Sequence, residues 1–279
     1  MPYALRCDGA ASHDLAGIDT QSDGGLDKQA GEEQLRAYVK ELGELQELLF
    51  AAGTDALLIV LQGMDTSGKD GTIRAVLDDM DPPGVRVTSF KVPTEEERAH
   101  DFLWRHHVHT PPRSMVAVFN RSYYEAVLVE PVKGIVTPDV VANRYPHITD
   151  FELMLTQSHT IVAKFFLHIS NETQKERLLA RQDEIAKWWK LSVGDWQERE
   201  HWDAYQAAYQ AAIDGTATAW APWFVVPSDR KWFRNLAVAE ALVAILRPYR
   251  EGWMGALRER GDQELAALRT AGFLPVADQ

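Results

Sequence analysis

The sequence has little cysteine, no long apolar run and no excess of positive charge. Its single cysteine, Cys7, cannot form an internal disulfide, which predicts a reducing, cytoplasmic location. No apolar run approaches the roughly 18 residues of a membrane span, and one of the longest is Ala56 to Leu61. The N-terminus lacks the basic start and apolar region of a secretory signal, so we expect none. A formal net charge of −12 argues against broad binding to nucleic acid or to an anionic membrane.

The negative charge is concentrated at the front of the 279-residue chain. Residues 1–55 contain 11 acidic and 4 basic residues, a net −7, which leaves −5 for the other 224. Residues 1–31 are rich in Gly, Asp, Ser and Ala and show no apolar periodicity, so we expect a mobile acidic N-terminal extension there. The remaining chain is predicted to form one domain over residues 32–250 and a helical C-terminal tail over residues 251–279.

Strand-like and helix-like segments alternate along the predicted domain. Apolar residues at steps of three and four between Glu32 and Phe50 predict an amphipathic helix. The continuous apolar run at residues 56–61 predicts a strand buried on both faces, as in a parallel sheet. Further strands are predicted at 85–90, 114–119, 160–169 and 223–226, and further helices at 68–80, 95–108, 147–158, 172–181 and 230–246. This alternation predicts a three-layer α/β domain with a mainly parallel sheet.

The segment at residues 63–71, GMDTSGKDG, lies between a predicted strand and a predicted helix, which is the context of a P-loop. Gly63 and Gly68 have the G-x-x-x-x-G-K spacing, which allows backbone N–H groups to turn towards phosphate oxygens. Lys69 adds a point charge, and the helix N-terminus adds unpaired N–H groups. We expect this loop to bind phosphate through Gly63, Thr66, Ser67, Gly68, Lys69, Asp70 and Gly71.

Two positions depart from the usual P-loop pattern. Asp70 stands where Ser or Thr normally contacts magnesium, and Asp65 lies inside the loop, where phosphate would repel it unless it holds a metal ion or its waters. The strand at 114–119 ends in Asn120, where a second acidic metal ligand would be expected. Arg121 follows it, in place to meet phosphate oxygens, and Glu125 is the nearest carboxylate.

The P-loop segment, together with residues 119–125 (FNRSYYE), resembles the family-2 polyphosphate kinases. The resemblance extends to residues 89–94, 100–105, 164–170 and 221–234, and it covers about residues 32–250. It implies the fold of P-loop nucleoside monophosphate kinases with a helical lid at about 177–213. It also implies phosphoryl transfer between inorganic polyphosphate and a nucleotide, which converts AMP or ADP into ADP or ATP, or the reverse. Mg²⁺ is the implied cofactor, with Mn²⁺ as a substitute, and a homo-oligomer, with a tetramer favoured, is the implied assembly.

The resemblance also suggests roles for individual residues. Asp65 and Lys69 match the acid and the lysine of the first motif, and Arg121 matches the arginine of the second, so we expect these three to be catalytic. Asp65 would hold the metal, with Asn120 or Glu125 contributing through water. The nucleotide or acceptor is expected to contact Asn120, Ser122, Tyr123 and Glu125.

Two windows of this acidic chain carry local positive charge. Residues 164–190 contain six basic and four acidic residues, and residues 229–250 contain five basic and two acidic ones. Arg177 and Arg181 are four positions apart and share a helix face. We expect polyphosphate to contact Arg177, Arg181, Lys187, Lys190, Lys231 and Arg234.

Two other functions remain open at this point. The first is an ATP-dependent nucleoside monophosphate kinase of the same fold. The second is a non-catalytic P-loop sensor of nucleotide or polyphosphate, which the residues at Asp70 and Asn120 would favour. Most tryptophans of the second half are expected to pack in the core or the lid, with stacking on a nucleotide base as the alternative. His168 is expected to be a hydrogen-bonded core residue.

Overall fold

The five predicted strands form the parallel part of a six-stranded sheet in the computed structural model. The model describes residues 2–183 and 185–275, except for the side chains of Ala186 and Lys187. The strands are β1 Leu5–Cys7, β2 Ala56–Gln62, β3 Val85–Ser89, β4 Val116–Asn120, β5 Thr160–His168 and β6 Trp223–Pro227. Their order in the sheet is β1-β6-β5-β2-β4-β3, and β1 pairs antiparallel to β6. The predicted α/β fold class with a mainly parallel sheet is therefore confirmed.

Helices cover both faces of this sheet. They are α1 Lys28–Ala52, α2 Lys69–Val76, α3 Glu95–Ala99, α4 Trp104–His107, α5 Glu125–Val132, α6 Pro138–Gln157, α7 Asn171–Leu179, α8 Val193–Glu200, α9 Trp202–Thr216, α10 Lys231–Leu246 and α11 Arg250–Thr270. Helices α1 and α10 pack on one face, and α5, α6 and α9 pack on the other. Within the described parts of the chain, no helix is both long enough and apolar enough to span a membrane.

Local sequence signals explain where the central elements begin and end. All seven residues of β2 are buried, as its unbroken apolar run requires. The carboxylate of Asp27 accepts a hydrogen bond from the N–H of Ala30 and caps α1. Gly53 ends the same helix in the left-handed region, with φ of +70°. In the sheet, β2 lies between β5 and β4, so the loop that follows it is at the centre of the sheet.

The first 31 residues are attached to the domain, which corrects the expectation of a mobile extension. Leu5 lies opposite Val225 in the edge pairing of β1 with β6. Leu15 is buried, and its carbonyl oxygen lies 3.1 Å from Nε2 of His168, which confirms His168 as a hydrogen-bonded core residue. Thr20 Oγ1 donates to Asp229 Oδ2 over 2.8 Å. These few contacts could not be predicted from the polar composition of the segment.

The expected lid at 177–213 is too long at its C-terminal end. Helix α9 belongs to the body of the domain, because Tyr205, Tyr209 and Ile213 are buried against α5 and α6. Exposed apolar residues are concentrated instead in residues 180–200, which we call the lid segment. They are Ile185, Trp188, Trp189, Leu191, Val193 and Trp196.

The chain after residue 250 forms α11, which packs along α1. Trp253 is buried and its Nε1 donates to Asp55 Oδ2 over 2.8 Å. Arg260 donates to the carbonyl oxygens of Ala51 and Ala52, at the end of α1. Beyond these contacts, α11 is mostly exposed.

Candidate active site

In the loop between β2 and α2, glycine occupies two positions with positive φ. Gly63 has φ of +154° and Gly68 has φ of +101°, and the second is a conformation that side chains strongly disfavour. A Cβ on Gly68 would also lie 1.8 Å from Nη1 of Arg234. Gly68 is the N-terminal cap of α2, so the chain enters the helix directly from this turn. The first turn of α2 therefore presents backbone N–H groups, a geometry that suits a phosphate anion.

Two arginines hold this loop through its carbonyl oxygens. Arg177 donates from Nη1 to the Thr66 oxygen over 2.9 Å and from Nη2 to the Ser228 and Asp229 oxygens over 2.7 Å. Arg234 is buried and donates from Nη1 to the Ser67 oxygen over 3.1 Å. Burial and the charge of Arg177 lower the pKa of Arg234 to about 9. Both guanidinium groups thus fix the backbone of the loop.

Lys69 is folded back into the loop. It is buried, and its Nζ donates to the Gly63 oxygen over 2.7 Å and to the Met64 oxygen over 3.3 Å. Burial, followed by the charge of Arg121, lowers the pKa of Lys69 to about 8. Its ammonium is therefore already in place at the loop, in an environment where a phosphate would stabilise its charged form.

Asp65, Arg121 and Glu125 form an ion-pair chain across the ends of β2 and β4. Arg121 Nη2 lies 2.6 Å from Asp65 Oδ1, and its Nη1 lies 3.1 Å from Glu125 Oε2. The charges of Glu125 and Asp65 raise the pKa of Arg121, although its burial acts in the opposite direction. Arg121 has φ of +62°, so the sharp turn after β4 aims this side chain back at the loop. The three residues expected to share the chemistry, Asp65, Lys69 and Arg121, do lie together.

Asp70, which replaces the usual Ser or Thr of the P-loop, contacts Asn120, which stands where a second acidic ligand was expected. Asn120 Nδ2 donates to Asp70 Oδ1 over 2.7 Å, and Lys190 of the lid segment lies 3.4 Å from Asp70 Oδ2. Burial acts to raise the pKa of Asp70, but these two hydrogen bonds and the charges of Lys190 and Lys69 hold it below its ordinary value. Asp70 therefore connects the P-loop helix to β4 and to the lid segment.

These groups border a cavity of about 570 Å³ at the carboxyl ends of the parallel strands. Seven basic and two acidic side chains line it, so the cavity is positive within an acidic chain. The basic residues are Lys69, Lys91, Arg121, Arg177, Arg181, Lys190 and Lys231, and the acidic residues are Asp65 and Asp70. Ser89, Phe90, Asn120 and Trp189 are among the other lining residues. An elongated polyanion fits this charge distribution.

Several predicted contacts lie away from the cavity. Tyr123 is fully buried and its hydroxyl donates to Glu152 Oε1 over 2.8 Å, so it does not line the cavity as an acceptor contact would. Ser122 is also fully buried, with its Oγ 3.0 Å from the Gln62 amide. Lys164, counted in the first basic window, is buried in an ion pair with Glu152 at 2.6 Å. Each of these groups stabilises the core beneath the site.

The predicted polyphosphate contacts divide into three groups. Lys190 and Lys231 line the cavity. Arg177 and Arg181 also line it, but Arg181 Nη1 is engaged by Asp195 Oδ2 at 2.5 Å and by the Lys190 oxygen at 2.7 Å. Arg234 lies behind the loop, and the side chain of Lys187 falls outside the described part of the structure.

Sequence reasoning missed the cavity wall formed by Ser89 and Lys91. Ser89 is the last residue of β3 and Lys91 lies two positions beyond it. The carboxyl ends of parallel strands meet at one edge of a sheet, which was an available signal. Arg105 fixes this wall by donating to the Lys91 oxygen over 2.9 Å, and it also pairs with Glu97 at 3.3 Å. Through this wall, Lys91 contributes one of the seven cations of the cavity.

The oxygen donors of the cavity fit a divalent cation that completes its coordination with substrate and water. Within the described residues, no group of three or more His, Cys, Asp or Glu side chains could enclose a metal ion. Asp65, Asp70 and Asn120 nevertheless offer hard oxygen ligands at the same cavity. Magnesium commonly binds through one or two carboxylates plus phosphate oxygens, which is the arrangement available here.

Comparison with known proteins agrees with this geometry. The family model described as Polyphosphate kinase 2 (PPK2) matches residues 25–251. Among curated proteins, the AMP/ADP-polyphosphate phosphotransferase of Meiothermus ruber is 50% identical over 219 residues, which is 78% of this chain and 82% of that protein. The ADP-polyphosphate phosphotransferase of Rhodopseudomonas palustris is 41% identical over 227 residues, covering 77% of this chain and 78% of the other. The crystal structure of Polyphosphate Kinase 2 from Arthrobacter aurescens superposes with a TM-score of 0.85 at 44% identity, covering 88% of both chains.

Proposed function

The chain belongs to the polyphosphate kinase 2 family and transfers phosphoryl groups between polyphosphate and a nucleotide; we propose AMP and ADP as its acceptors and Mg²⁺ as its metal. The observation that carries the proposal is the cavity in which the P-loop, Asp65 and Arg121 meet five further cations. The names of the two relatives support AMP and ADP as the nucleotides. In the forward direction, the P–O bond of a terminal polyphosphate anhydride breaks as a nucleotide phosphate oxygen bonds to the same phosphorus.

The protein's own contribution is to position the phosphates and to neutralise their charge. Lys69, held at the base of the loop, places a cation beside the transferring group. Arg121 is placed to do the same from the β4 side, once phosphate oxygens compete with Asp65 for its guanidinium. A bound divalent cation supplies further neutralisation of the phosphate oxygens. Asp65 would hold it, with Asn120 or Glu125 contributing through water.

The pairing of Asp70 with Asn120 argues against the non-catalytic alternative. Asp70 and Asn120, the two residues that favour that alternative, are joined by one hydrogen bond of 2.7 Å within the cavity. The pair keeps a carboxylate and an amide at the positions where metal-bound water or an acceptor would need polar partners. The altered residues therefore form an intact polar site.

The test combines purified protein, Mg²⁺, polyphosphate and either AMP or ADP, with the products separated by anion-exchange chromatography. We expect ADP or ATP to form, and the reverse reaction to lengthen polyphosphate from ATP. Asp65→Asn and Lys69→Met are each expected to reduce turnover by about 100-fold or more, as for removal of other charge-stabilising groups. Turnover with ATP plus AMP but not with polyphosphate would instead identify a nucleoside monophosphate kinase. Ligand binding without turnover, the same in wild type and Asp65→Asn, would identify a sensor.

We further propose a cytoplasmic homo-oligomer, with a tetramer favoured. The buried thiol of the single cysteine supports a reducing compartment, and the assembly is the one that the family resemblance implies. Light scattering coupled to size-exclusion chromatography measures the mass of the assembly directly. A single 31.4 kDa species would contradict it.

A further inference from the structure

An exposed aromatic ring stands at the edge of the charged cavity. Trp189 lines the cavity and is 78% exposed, which is unusual for the largest apolar side chain in a protein. Its neighbours in that cavity are mostly cations and backbone suited to phosphate. Polyphosphate has no aromatic or apolar surface, so this ring offers nothing to that substrate.

The backbone around Trp189 is held in place, although its ring is not packed. Arg181 Nη1 donates to the Lys190 oxygen over 2.7 Å, and Lys190 Nζ reaches Asp70 on the P-loop helix at 3.4 Å. Trp188 Nε1 donates to the Gln182 oxygen over 3.0 Å. These contacts fix the two residues that flank Trp189 and leave its side chain directed to the cavity. The ring is therefore presented by a braced segment.

One face of the ring is already occupied by a cation. Lys190 Nζ lies 4.9 Å from the centroid of the Trp189 ring, within the range of a cation–π contact. Because the side chain remains 78% exposed, its other face is open to a planar ligand. A cation beside a free aromatic face suits a molecule that joins a planar base to phosphates.

We propose that Trp189 is the platform on which the base of the nucleotide stacks. The inference rests on the proposed function, since the nucleotide is the only one of the two substrates that has a π-face. Stacking is tolerant of base identity, because every base presents such a face, but it favours the larger purine ring. Trp189 would therefore set nucleotide affinity and purine preference, while Lys69 and Arg121 act on the phosphates.

The experiment compares Trp189→Ala and Trp189→Phe with the matched control Trp196→Ala. Trp196 lies in the same lid segment, is 39% exposed and is not among the cavity-lining residues. We expect Trp189→Ala to raise the KM for AMP or ADP by about tenfold, with the KM for polyphosphate unchanged. Trp189→Phe should retain most of the affinity, and the loss in Trp189→Ala should be larger for purine than for pyrimidine nucleotides. Trp196→Ala should resemble the wild type.

Three results would overturn the proposal. These are an unchanged nucleotide KM in Trp189→Ala, a rise in the polyphosphate KM instead, or an equal effect from Trp196→Ala, which would indicate a general change in the lid segment. A second measurement separates this failure from failure of the proposed function. ADP is titrated without polyphosphate, and quenching of tryptophan emission is expected in the wild type but reduced in Trp189→Ala. That titration tests stacking even if wild-type protein shows no turnover.

Discussion

At the scale of single residues, Gly68 is the position in the loop with least freedom to change. Its φ of +101° disfavours any side chain, and its Cβ would meet Arg234 Nη1 at 1.8 Å. We expect Gly68→Ala to displace Arg234 from the Ser67 oxygen, to lower the free energy of unfolding by about 1–3 kcal/mol and to reduce turnover at least tenfold. Urea denaturation and steady-state rates measure the two effects.

Gly71 provides the matched control for that substitution. It has an ordinary φ within α2, and its Cβ would lie 3.3 Å from Arg234 Nη2, at the end of a side chain. Gly71→Ala should change stability by less than about 1 kcal/mol, because alanine favours the helix and offsets mild crowding. Equal losses in both variants would show that crowding of Arg234, rather than the backbone turn at Gly68, controls the loop.

Lys69 makes the reaction sensitive to pH in the weakly alkaline range. Because burial and Arg121 lower its pKa to about 8, its charge is present below that pH and lost above it. We expect kcat/KM for polyphosphate to fall as the pH rises through about 8, whereas kcat falls at higher pH, because bound phosphate stabilises the ammonium. Rates from about pH 7 to about pH 9.5 test this. The Lys69→Arg variant keeps a permanent charge at this position, so its rate should be lower but should not fall near pH 8. If the rate of this variant still falls near pH 8, the titrating group is not Lys69.

The effect of Lys69 on stability has the opposite sign. Between its folded pKa of about 8 and its ordinary value of 10.5, the unfolded chain holds a proton that the folded chain has released. Stability from this group therefore rises with pH in the interval where activity falls. Deprotonation of Lys69 should therefore lower activity near pH 8 without destabilising the folded protein.

Individual roles could be predicted from the sequence where a motif specifies both residue and position. Asp65, Lys69 and Arg121 belong to such motifs, and the structure brings them together. Arg177 and Arg234 were expected to bind phosphate, because local charge indicates a cation without indicating its partner. Both donate to backbone carbonyl oxygens of the loop, which no residue pattern reveals, while Arg177 also lines the cavity.

At the scale of elements, a buried polar network joins β5 and α6 to the turn after β4. Glu152 Oε1 accepts hydrogen bonds from the Tyr123 and Tyr124 hydroxyls at 2.8 Å, and its Oε2 pairs with Lys164 at 2.6 Å. All four residues are fully buried. This network fixes the segment that carries Asn120 and Arg121, so the site depends on a polar core beneath it.

Glu152→Gln should therefore be strongly destabilising. It leaves the Lys164 charge buried without its counterion, and we expect the free energy of unfolding to fall by about 3–5 kcal/mol in urea denaturation. Glu152→Gln with Lys164→Met should recover part of that loss, because the unpaired charge is removed. Glu32→Gln is the control, because Glu32 pairs with Lys28 at the exposed surface, with 3.6 Å between Oε1 and Nζ. We expect this variant to lower the free energy of unfolding by about 0.5 kcal/mol or less. A cost below about 1 kcal/mol for Glu152→Gln would contradict a buried charge pair.

Elements stabilised by their own pattern were predictable, and elements stabilised by neighbours were not. The apolar run of β2 and the helical periodicity of α1 lie in the local sequence. Strand β1 has three residues and exists only through its pairing with β6, so its composition is that of a loop. The sequence of helix α9 predicts an extension of the lid, and only its packing against α5 and α6 assigns it to the body of the domain.

At the scale of the whole molecule, overall charge and site charge have opposite signs. The chain carries −12, with −7 in residues 1–55, yet seven basic and two acidic side chains line the cavity. Charges farther away than the Debye length, about 8 Å at physiological ionic strength, are largely screened at the protein surface. The polyanion therefore responds to the cavity lining rather than to the mean field of the chain.

Neutralising charges at the surface and in the cavity separates the effect of the overall charge from that of the cavity lining. Glu33, Glu44 and Glu47 are exposed on α1 and are not among the cavity-lining residues, so changing all three to Gln makes the chain less acidic by three charges. We expect the KM for polyphosphate to stay within about twofold at physiological salt, whereas Lys91→Gln, a loss of one cavity charge, should raise it about threefold or more. Added salt should weaken the Lys91 effect, since screening acts on the same attraction. If the triple variant lowered the KM as much as Lys91→Gln raised it, the mean field would govern binding, and the cavity would not be the source of selectivity for polyphosphate.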